Sequence, residues 1–391
     1  MSGRAAIVGV GETDYAADYE LARRIQEPHD VGAKLDDLIS LAFQRALDDA
    51  ALTRFDVDGL TLMMEMSTEF DRYVKLLALP SLRVLRTGGW LEQIPCAAQR
   101  LADGSCDTVA LIFAAPFRTG ARVFGGSTWE GAGRDSYCYY HPWRWSSQAA
   151  HWALMWQYYM SAYGATESDL GHVALALRRN ASLTDNAVMT SPLTMADYLA
   201  SRYVVKPLHL FDICLVNDGA VCILMQRTEP AKARPHVPVL LSGWGYDTVH
   251  HDKLDFMIRD RLRTQLEAAG DQALSMAALS RSDIGHLMVY DASTIHLVNQ
   301  LEGFGFAQPG EGLAFVKAGE TAIAGSLPVN TNGGMLSHSY MAGWNNLVEA
   351  VKQLRHEAGP RQVKDLHCTL FAATTTESAY PIVLTRAPAN A

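Results

Sequence analysis

Short apolar runs alternate with amphipathic helical patterns along this chain of 391 residues, and the same order occurs twice. Four runs in the first half predict strands, at residues 4–11, 57–65, 107–115 and 217–226. Apolar side chains at helical spacing predict helices over 32–50 and 90–104. The second half predicts strands at 237–246, 286–292, 365–374 and 380–386, with a helix over 295–305. The repetition predicts an α/β fold built from two similar βαβαββ halves.

The boundary between the halves falls in the segment EPAKARPHVP, residues 229–238, which has the composition of a linker. We therefore predict an N-terminal half over 1–235 and a C-terminal half over 236–391. Residues of about 116–200 are predicted to form a loop domain inserted in the first half. Its aromatic stretch at 137–164 could line a pocket for a flat polycyclic group, but helical spacing favours a place in the core for much of it.

Composition limits the partners and the compartment. The formal net charge of −9 argues against a nucleic-acid or anionic-membrane partner, since both need a basic face. No run approaches the ~18 apolar residues of a membrane helix, and the residues MSGRAAIVGVGETDY do not resemble a signal peptide. Six cysteines without C-x-x-C spacing are typical of buried thiols in a reducing compartment. We predict a soluble cytoplasmic protein.

The segment NTNGGMLSHSYMAGWNNLVEAVKQLR, which begins at Asn330, is the strongest candidate for an active-site rim. It combines a glycine turn, a Ser-His-Ser-Tyr run and an amphipathic helix. His338 and Tyr340 are the candidate acid/base groups. A histidine has an ordinary pKa near ~6.5 and could act as a base, although a solvated turn histidine would fit the same pattern.

The chain resembles the thiolase superfamily over nearly its whole length. This segment and the run VNDGAVCILM carry the likeness, together with the repeated strand-turn-helix halves. The resemblance implies the thiolase fold, a five-layered αβαβα arrangement. In condensing thiolases the corresponding segment has the form N-P-x-G-G-x-x-x-x-G-H-P-x-G-A-T-G. With Asn330, Gly333 and Gly334 in register, its histidine falls on Tyr340, and His338 falls where the family has no catalytic residue.

The other catalytic positions of the family also differ. The position of the nucleophilic cysteine falls on Thr87 in RTGGW, while Cys96 lies in the following helix and is not that cysteine. The first residue of the N-E-A-F motif falls on Tyr290 in YDAS, and the late cysteine falls near Phe371. The resemblance thus implies an enzyme without a cysteine nucleophile and with tyrosines at two catalytic positions.

The double-tyrosine pattern resembles the lipid-transfer-protein-like aldolases of bacterial steroid side-chain degradation, a sterol-carrier-protein-x thiolase-like branch. The residues that carry this likeness lie between positions 290 and 306. They are Tyr290, Asp291, Thr294, Leu301, Glu302, Gly305 and Phe306. The likeness implies cleavage of a 3-hydroxyacyl-CoA, such as a steroid side-chain thioester, and a partner protein with an OB fold and a zinc ribbon. The chain departs from the branch at Ser293, where an aromatic residue is usual, and in the SHS run before Tyr340.

A retro-aldol step suits two tyrosines because it needs acid/base groups but no covalent intermediate. We expect Tyr290 and Tyr340 to be the catalytic pair, and which of them is the base stays open. His338 and Asp291 are possible supporting residues, although an aspartate after a strand is also a common helix cap. The predicted substrate-binding residues are Thr87, Gly88, Gly333 and Gly334. We expect no metal and no cofactor bound in the chain, since coenzyme A arrives with the acyl-CoA substrate.

Two other functions fit the same residues. One is a thiolase-like acyltransferase that lacks the usual cysteine, and the other is a non-catalytic subunit that binds acyl-CoA or acts as a scaffold. We also expect a homodimer, because the apolar run 107–115 resembles the strand that pairs across the thiolase dimer, and such a strand would otherwise invite aggregation. With the partner protein this would give a two-plus-two complex.

Overall fold

The computed structural model describes residues 3–24, 31–63, 70–87, 89–120, 147–248, 259–374 and 378–388, and the structure is discussed for these stretches. Their strands are β1 Ala5–Glu12, β2 Gly59–Leu62, β3 Val84–Thr87, β4 Thr108–Pro116, β5 Tyr203–Val205, β6 Leu208–His209, β7 Asp218–Arg227, β8 Val239–Trp244, β9 Asp247–Thr248, β10 His286–Val289, β11 Cys368–Thr374 and β12 Ser378–Arg386. Every strand predicted from the sequence is present, although the second is shorter than expected.

The helices match the predicted ones and add several. They are α1 Tyr15–Arg24, α2 Val31–Ala50, α3 Phe70–Leu77, α4 Gln93–Ala102, α5 Gln148–Tyr163, α6 Glu167–Ala181, α7 Met195–Ala200, α8 Thr228–Ala231, α9 Arg259–Ala277, α10 Thr294–Gly303, α11 Gly312–Lys317 and α12 Trp344–Arg355. A single π-helical turn, Gly334–His338, precedes α12. No helix in the described stretches is both long and apolar enough to span a bilayer.

The strands of the two halves follow one another in the same spatial order. Within the ten-stranded sheet the first half has the order β3-β2-β4-β7-β1, and the second continues as β8-β12-β11-β10. Val329 forms a parallel bridge with Leu287 of β10. This bridge occupies the position in the second half that β3 occupies in the first. The first strands of both halves meet in the middle, where β1 and β8 pair antiparallel through Ala6 and Leu240. This order confirms the predicted internal repeat.

The strand β4 does not lie at an edge of the sheet, where pairing with a second copy of the chain would require it. It pairs parallel with β2 on one side and antiparallel with β7 on the other, so neither of its edges is free. All of its residues are buried. Its apolar sequence therefore results from the cover on both faces of the sheet, and the expectation that it is an exposed pairing strand was wrong. Among the described strands of this half, the short β3 forms the edge.

Alternate side chains of β4 enter two different helix layers. Ala110 and Ile112 pack in a cluster with residues of α2 and α3, whereas Leu111 and Phe113 pack in the larger cluster that contains α4 and α12. The helix α12 contacts strands of both halves, and α9 contacts β8 and β12. The order α2, first half-sheet, α4 with α12, second half-sheet, α9 is the five-layered arrangement of the predicted thiolase fold.

Each half begins with a strand whose glycines lie against a helix. A Cβ on Gly11 of β1 would overlap the carbonyl oxygen of Ala42 in α2. A Cβ on Gly245, directly after β8, would overlap the carbonyl oxygen of Ala269 in α9. Gly9 and Gly243 are confined in the same way. The first strand of each half therefore approaches its helix more closely than any other residue would permit.

The described part of the predicted inserted region, about 116–200, contains α5, α6 and α7, and the small β5-β6 sheet follows it. Trp152, Trp156 and Tyr159 of α5 are buried, which favours the core interpretation for this part of the aromatic stretch. Residues 121–146, with the first part of that stretch, lie outside the described residues.

Candidate active site

The two tyrosines meet at the junction of β10 and the turn before α12. The hydroxyl oxygens of Tyr290 and Tyr340 are 2.9 Å apart, a hydrogen-bond distance in which either can donate. Tyr340 is buried, and Tyr290 is half-buried. Their rings meet edge to face, with centroids 6.5 Å apart. Residues 50 positions apart in the sequence thus form one polar pair in an apolar site.

Side-chain amides hold the backbone on either side of the Tyr290 ring. The Gln300 side chain accepts from the Tyr290 N–H at 3.3 Å and donates to its carbonyl oxygen at 2.6 Å. The Asn330 amide binds Val289 in the same two-sided way, at 2.8 and 3.0 Å, while Val289 pairs within the sheet with Ala372 of β11. These contacts fix the direction in which Tyr290 leaves the strand.

Tyr340 is held from the first half of the chain. Its N–H donates to the side-chain oxygen of Asn217 at 2.8 Å. The amide nitrogen of Asn217 also donates to the Ser339 hydroxyl at 2.9 Å. Asn217 directly precedes β7, so the position of Tyr340 depends on packing between the halves.

Asp291 supports the turn that carries Tyr340. Its buried carboxylate accepts from the N–H groups of Met335 at 2.9 Å and Leu336 at 3.3 Å, and it thereby caps the π-helical turn. The carboxylate lies so close to Gly334 that a Cβ there would overlap it. Gly334 also has a positive φ of 62°. Ser293, not Asp291, caps α10 by accepting from the N–H of His296.

The four residues predicted to bind substrate have different positions. Gly333 and Gly334 are buried in the turn, and a Cβ on Gly333 would overlap Ala181 of α6. Thr87 is the last residue of β3, and its side chain lies outside the described part of the structure, as does the whole of Gly88. Contact of these residues with substrate stays a prediction.

Burial shifts the pKa of both acidic groups beside the turn. It raises the pKa of Tyr290 well above its ordinary value, with a further contribution from the neighbouring Tyr340. Burial also raises the pKa of Asp291 to about 7, although the N–H donors of Met335 and Leu336 oppose the shift. Tyr290 is therefore protonated at neutral pH.

His338 faces a different part of the molecule. It is buried, not solvated, and its ring packs edge-on to Tyr15 at 5.4 Å. Its Nδ1 accepts from the amides of Asn332 at 3.0 Å and Asn345 at 3.4 Å, and burial lowers its pKa to about 4. The ring borders a cavity of about 160 Å³ that is also lined by Lys352. The side chains of His338 and Tyr340 thus belong to separate environments.

The end of β11 adds a polar contact near Tyr290. Phe371 is fully buried inside the strand, whereas Thr374 at its end lies 2.9 Å from Nε2 of His296. The His296 ring meets Tyr290 edge to face at 5.6 Å, and burial lowers the pKa of His296 to about 4. The sequence comparison singled out Phe371 and missed both Thr374 and His296.

Four of the five described cysteines are buried, and burial raises the pKa of each of these thiols. Cys96 lies on α4 and is half-buried, while Cys106, Cys214, Cys222 and Cys368 are buried. Burial raises the pKa of Cys214, and the charge of Asp291 adds to the shift. Within the described stretches, no three His, Cys, Asp or Glu side chains are grouped so that they could hold a metal ion. Cys138 lies outside those stretches.

Two residues that hold the tyrosines carried no usable signal in the sequence. Asn217 and Gln300 act through backbone contacts that only the fold creates. Trp90 meets Tyr290 edge to face at 5.1 Å, and its indole N–H donates to the carbonyl oxygen of Ala342 at 2.9 Å. A tryptophan beside the expected nucleophile position was the only hint that this residue lines the site.

The chain matches known proteins in sequence and in structure. A family model described as thiolase C-terminal domain-like matches residues 248–386. A steroid side-chain-cleaving aldolase of Thermomonospora curvata is 31% identical over 375 residues, with 91% of each chain covered. A 17-hydroxy-3-oxo-4-pregnene-20-carboxyl-CoA lyase of Mycobacterium tuberculosis is 31% identical over 374 residues, which cover 91% of this chain and 92% of that one.

Solved structures agree. An Ltp2-ChsH2(DUF35) aldolase superimposes with a TM-score of 0.84 at 28% identity and 98% coverage of both chains. Human mitochondrial 3-ketoacyl-CoA thiolase superimposes with a TM-score of 0.69 at 14% identity, a likeness of fold. The chain belongs to the thiolase superfamily, in the branch of the steroid side-chain-cleaving aldolases. It is an enzyme of the aldolase, or carbon–carbon lyase, class.

Proposed function

We propose that this protein is a cytoplasmic retro-aldol lyase that cleaves a 3-hydroxyacyl-CoA, such as a steroid side-chain thioester, into a ketone and a short acyl-CoA such as propionyl-CoA or acetyl-CoA. The hydrogen-bonded pair Tyr290 and Tyr340 carries the proposal, because it brings two acid/base groups to one point of the site. The names of the two relatives, an aldolase and a CoA lyase, support the reaction class and the thioester.

In the proposed mechanism one phenol accepts a proton and the other donates one. The base removes the proton of the 3-hydroxyl, and the C2–C3 bond breaks as the ketone forms. The electrons of that bond pass into the thioester enolate, and C2 then takes a proton from the acid. A proton transfer across the hydrogen bond between the tyrosines restores the starting state. No thiol and no acyl-enzyme are required.

We assign the base to Tyr340 and the acid to Tyr290. Burial opposes ionisation of either ring, since Tyr340 is buried and burial raises the pKa of Tyr290. A phenol needs about 4 kcal/mol to act as a base at pH 7. A hydrogen bond donated by Tyr290 stabilises an ionised oxygen on Tyr340, and the N-terminus of α12 contributes roughly 0.3–2 kcal/mol.

We further propose that the enzyme works as a homodimer with an OB-fold, zinc-ribbon partner in a two-plus-two complex. The solved aldolase with a DUF35 component supports a partner of that kind. With β4 inside the sheet, the edge strand β3 takes its place as the candidate for pairing between two copies.

Removal of either phenol hydroxyl tests the proposal. Tyr340→Phe and Tyr290→Phe each lose one acid/base group but keep the ring, so kcat should fall by roughly 10²–10⁴-fold while the fold survives. His338→Ala should lower kcat much less, because that ring faces another cavity. Steady-state assays with 17-hydroxy-3-oxo-4-pregnene-20-carboxyl-CoA, in the presence of the partner, measure this. Full activity in both phenylalanine variants, or loss of activity only in His338→Ala, would disprove the assignment.

The absence of a covalent intermediate is a separate prediction. The described cysteines are buried or half-buried, and Thr87 stands at the family's nucleophile position. Incubation with acetyl-CoA should leave the intact mass of the protein unchanged. A stoichiometric acetyl adduct on Cys96 would instead support the acyltransferase alternative.

A further inference from the structure

Four aromatic side chains form a continuous series from the surface to the catalytic pair. Tyr246 is 50% exposed, and its ring lies 5.1 Å from that of Tyr380. The Tyr380 ring lies 5.9 Å from Trp90, and Trp90 lies 5.1 Å from Tyr290. We call Tyr246, Tyr380 and Trp90 the aromatic wall. It connects solvent to the reacting hydroxyls through a series of aromatic rings.

The wall joins segments that are far apart in the sequence. Trp90 precedes α4 in the first half, Tyr246 follows β8, and Tyr380 lies on β12. The indole N–H of Trp90 bonds to Ala342 in the turn that carries Tyr340, so the wall and the catalytic turn are fixed to each other. The aromatic wall is therefore held at a fixed distance from the hydroxyl groups of Tyr290 and Tyr340.

The polar properties of the wall also favour an apolar ligand. Burial raises the pKa of Tyr380 to about 12, so its hydroxyl is neutral at physiological pH. Trp90 satisfies its only donor within the protein. Tyr246 stands at the outer end, where half of its large ring surface is open to solvent. Rings that meet tilted or edge to face present apolar faces and edges to a bulky ligand.

We propose that the aromatic wall binds the acyl portion of the substrate and selects for a bulky alicyclic group. This inference rests on the proposed function, since it assigns the wall to the substrate whose C2–C3 bond faces Tyr290 and Tyr340. Coenzyme A alone makes no use of the wall. Tyr246 and Trp90 are specificity-determining residues, at the outer and inner ends.

Binding without turnover tests the wall separately from the chemistry. In a Tyr340→Phe background, calorimetry measures the affinity for 17-hydroxy-3-oxo-4-pregnene-20-carboxyl-CoA and for acetyl-CoA. Tyr246→Ala should weaken binding of the pregnene thioester about tenfold, as for the loss of an aromatic ring at a binding surface. Its affinity for acetyl-CoA should stay within about twofold, because the acetyl group is too small to reach Tyr246 at the outer end of the wall. Tyr246→Phe keeps the ring and should restore binding of the pregnene thioester.

Phe55→Ala is the matched control, because Phe55 is 68% exposed and lies before β2, away from the wall. It should leave both affinities unchanged. Equal affinity of Tyr246→Ala and its parent for the pregnene thioester, or equal weakening for both thioesters, would overturn the inference. So would a parent protein that binds the two thioesters equally well. Failure of the proposed chemistry would appear elsewhere, as full turnover in the Tyr290→Phe and Tyr340→Phe enzymes.

Discussion

The two halves of the molecule share a scaffold but contribute different residues to the candidate active site. Each places its first strand against a helix through two glycines, and each orders its strands in the same way. Tyr290, Asp291 and Tyr340 nevertheless all come from the second half. The first half contributes Asn217, which holds Tyr340, and Trp90, which packs on Tyr290. Of the two equivalent frames, the second carries the proposed acid/base groups and several residues that hold them, such as Gln300, and the first adds Asn217 and Trp90.

The equivalence of the frames can be tested at the glycines. Gly11→Ala and Gly245→Ala each force a Cβ into a helix carbonyl, and overpacking against backbone costs typically about 1–3 kcal/mol and occasionally more. We expect both variants to lose free energy of unfolding at or above the upper end of that range, and by similar amounts. Chemical denaturation measures the loss.

Gly104→Ala is the matched control for the glycine variants. Gly104 has a positive φ of 77°, but a Cβ added there would meet nothing within 4 Å, so only backbone strain of roughly 1 kcal/mol is expected. A large loss in one of Gly11→Ala and Gly245→Ala with a small loss in the other would show that the halves are not mechanically equivalent.

Because Asn217 of the first half holds Tyr340, we expect a substitution in the first half to affect catalysis. Asn217→Ala leaves the buried N–H of Tyr340 without its acceptor, which costs about 1–3 kcal/mol of stability. It should also lower kcat, because Tyr340 loses its anchor. Denaturation and steady-state assays together measure both. Unchanged kcat in a folded Asn217→Ala enzyme would mean that the second half positions Tyr340 alone.

The effect of Asp291 on stability is visible through pH. Its pKa is raised by burial to about 7 in the folded protein, against an ordinary value near ~3.9. The folded state therefore holds a proton that the unfolded state has released, and Asp291 contributes stability that is lost as pH rises from about 4 to about 7. The gradient is at most about 1.4 kcal/mol per pH unit.

The variant Asp291→Asn removes this gradient. The free energy of unfolding of the wild type minus that of the variant should increase as pH falls from about 7 to about 5. The buried histidines titrate in both proteins and cancel in the difference. A difference that is constant with pH would show that Asp291 is already ionised in the folded protein.

The sequence predicted the secondary-structure elements better than the contacts between them. Apolar runs located the strands because burial dictates their composition, and the family pattern singled out Tyr290 and Tyr340. It misjudged β4, since cover on both faces and exposure at an edge give the same apolar run. It also missed Asn217 and Gln300, because a polar side chain that binds a backbone group has no local signature. Only the fold brings these amides to the tyrosines.

The pairing of β1 also has a consequence during protein synthesis. The first strand leaves the ribosome early, but its neighbours on both sides, β7 and β8, begin only at Asp218 and Val239. At roughly 5–20 residues per second the wait is on the order of 10–40 seconds. For that time β1 can pack against α2 but has no neighbouring strand within the nascent chain, so its hydrogen-bonding edges stay open to a chaperone.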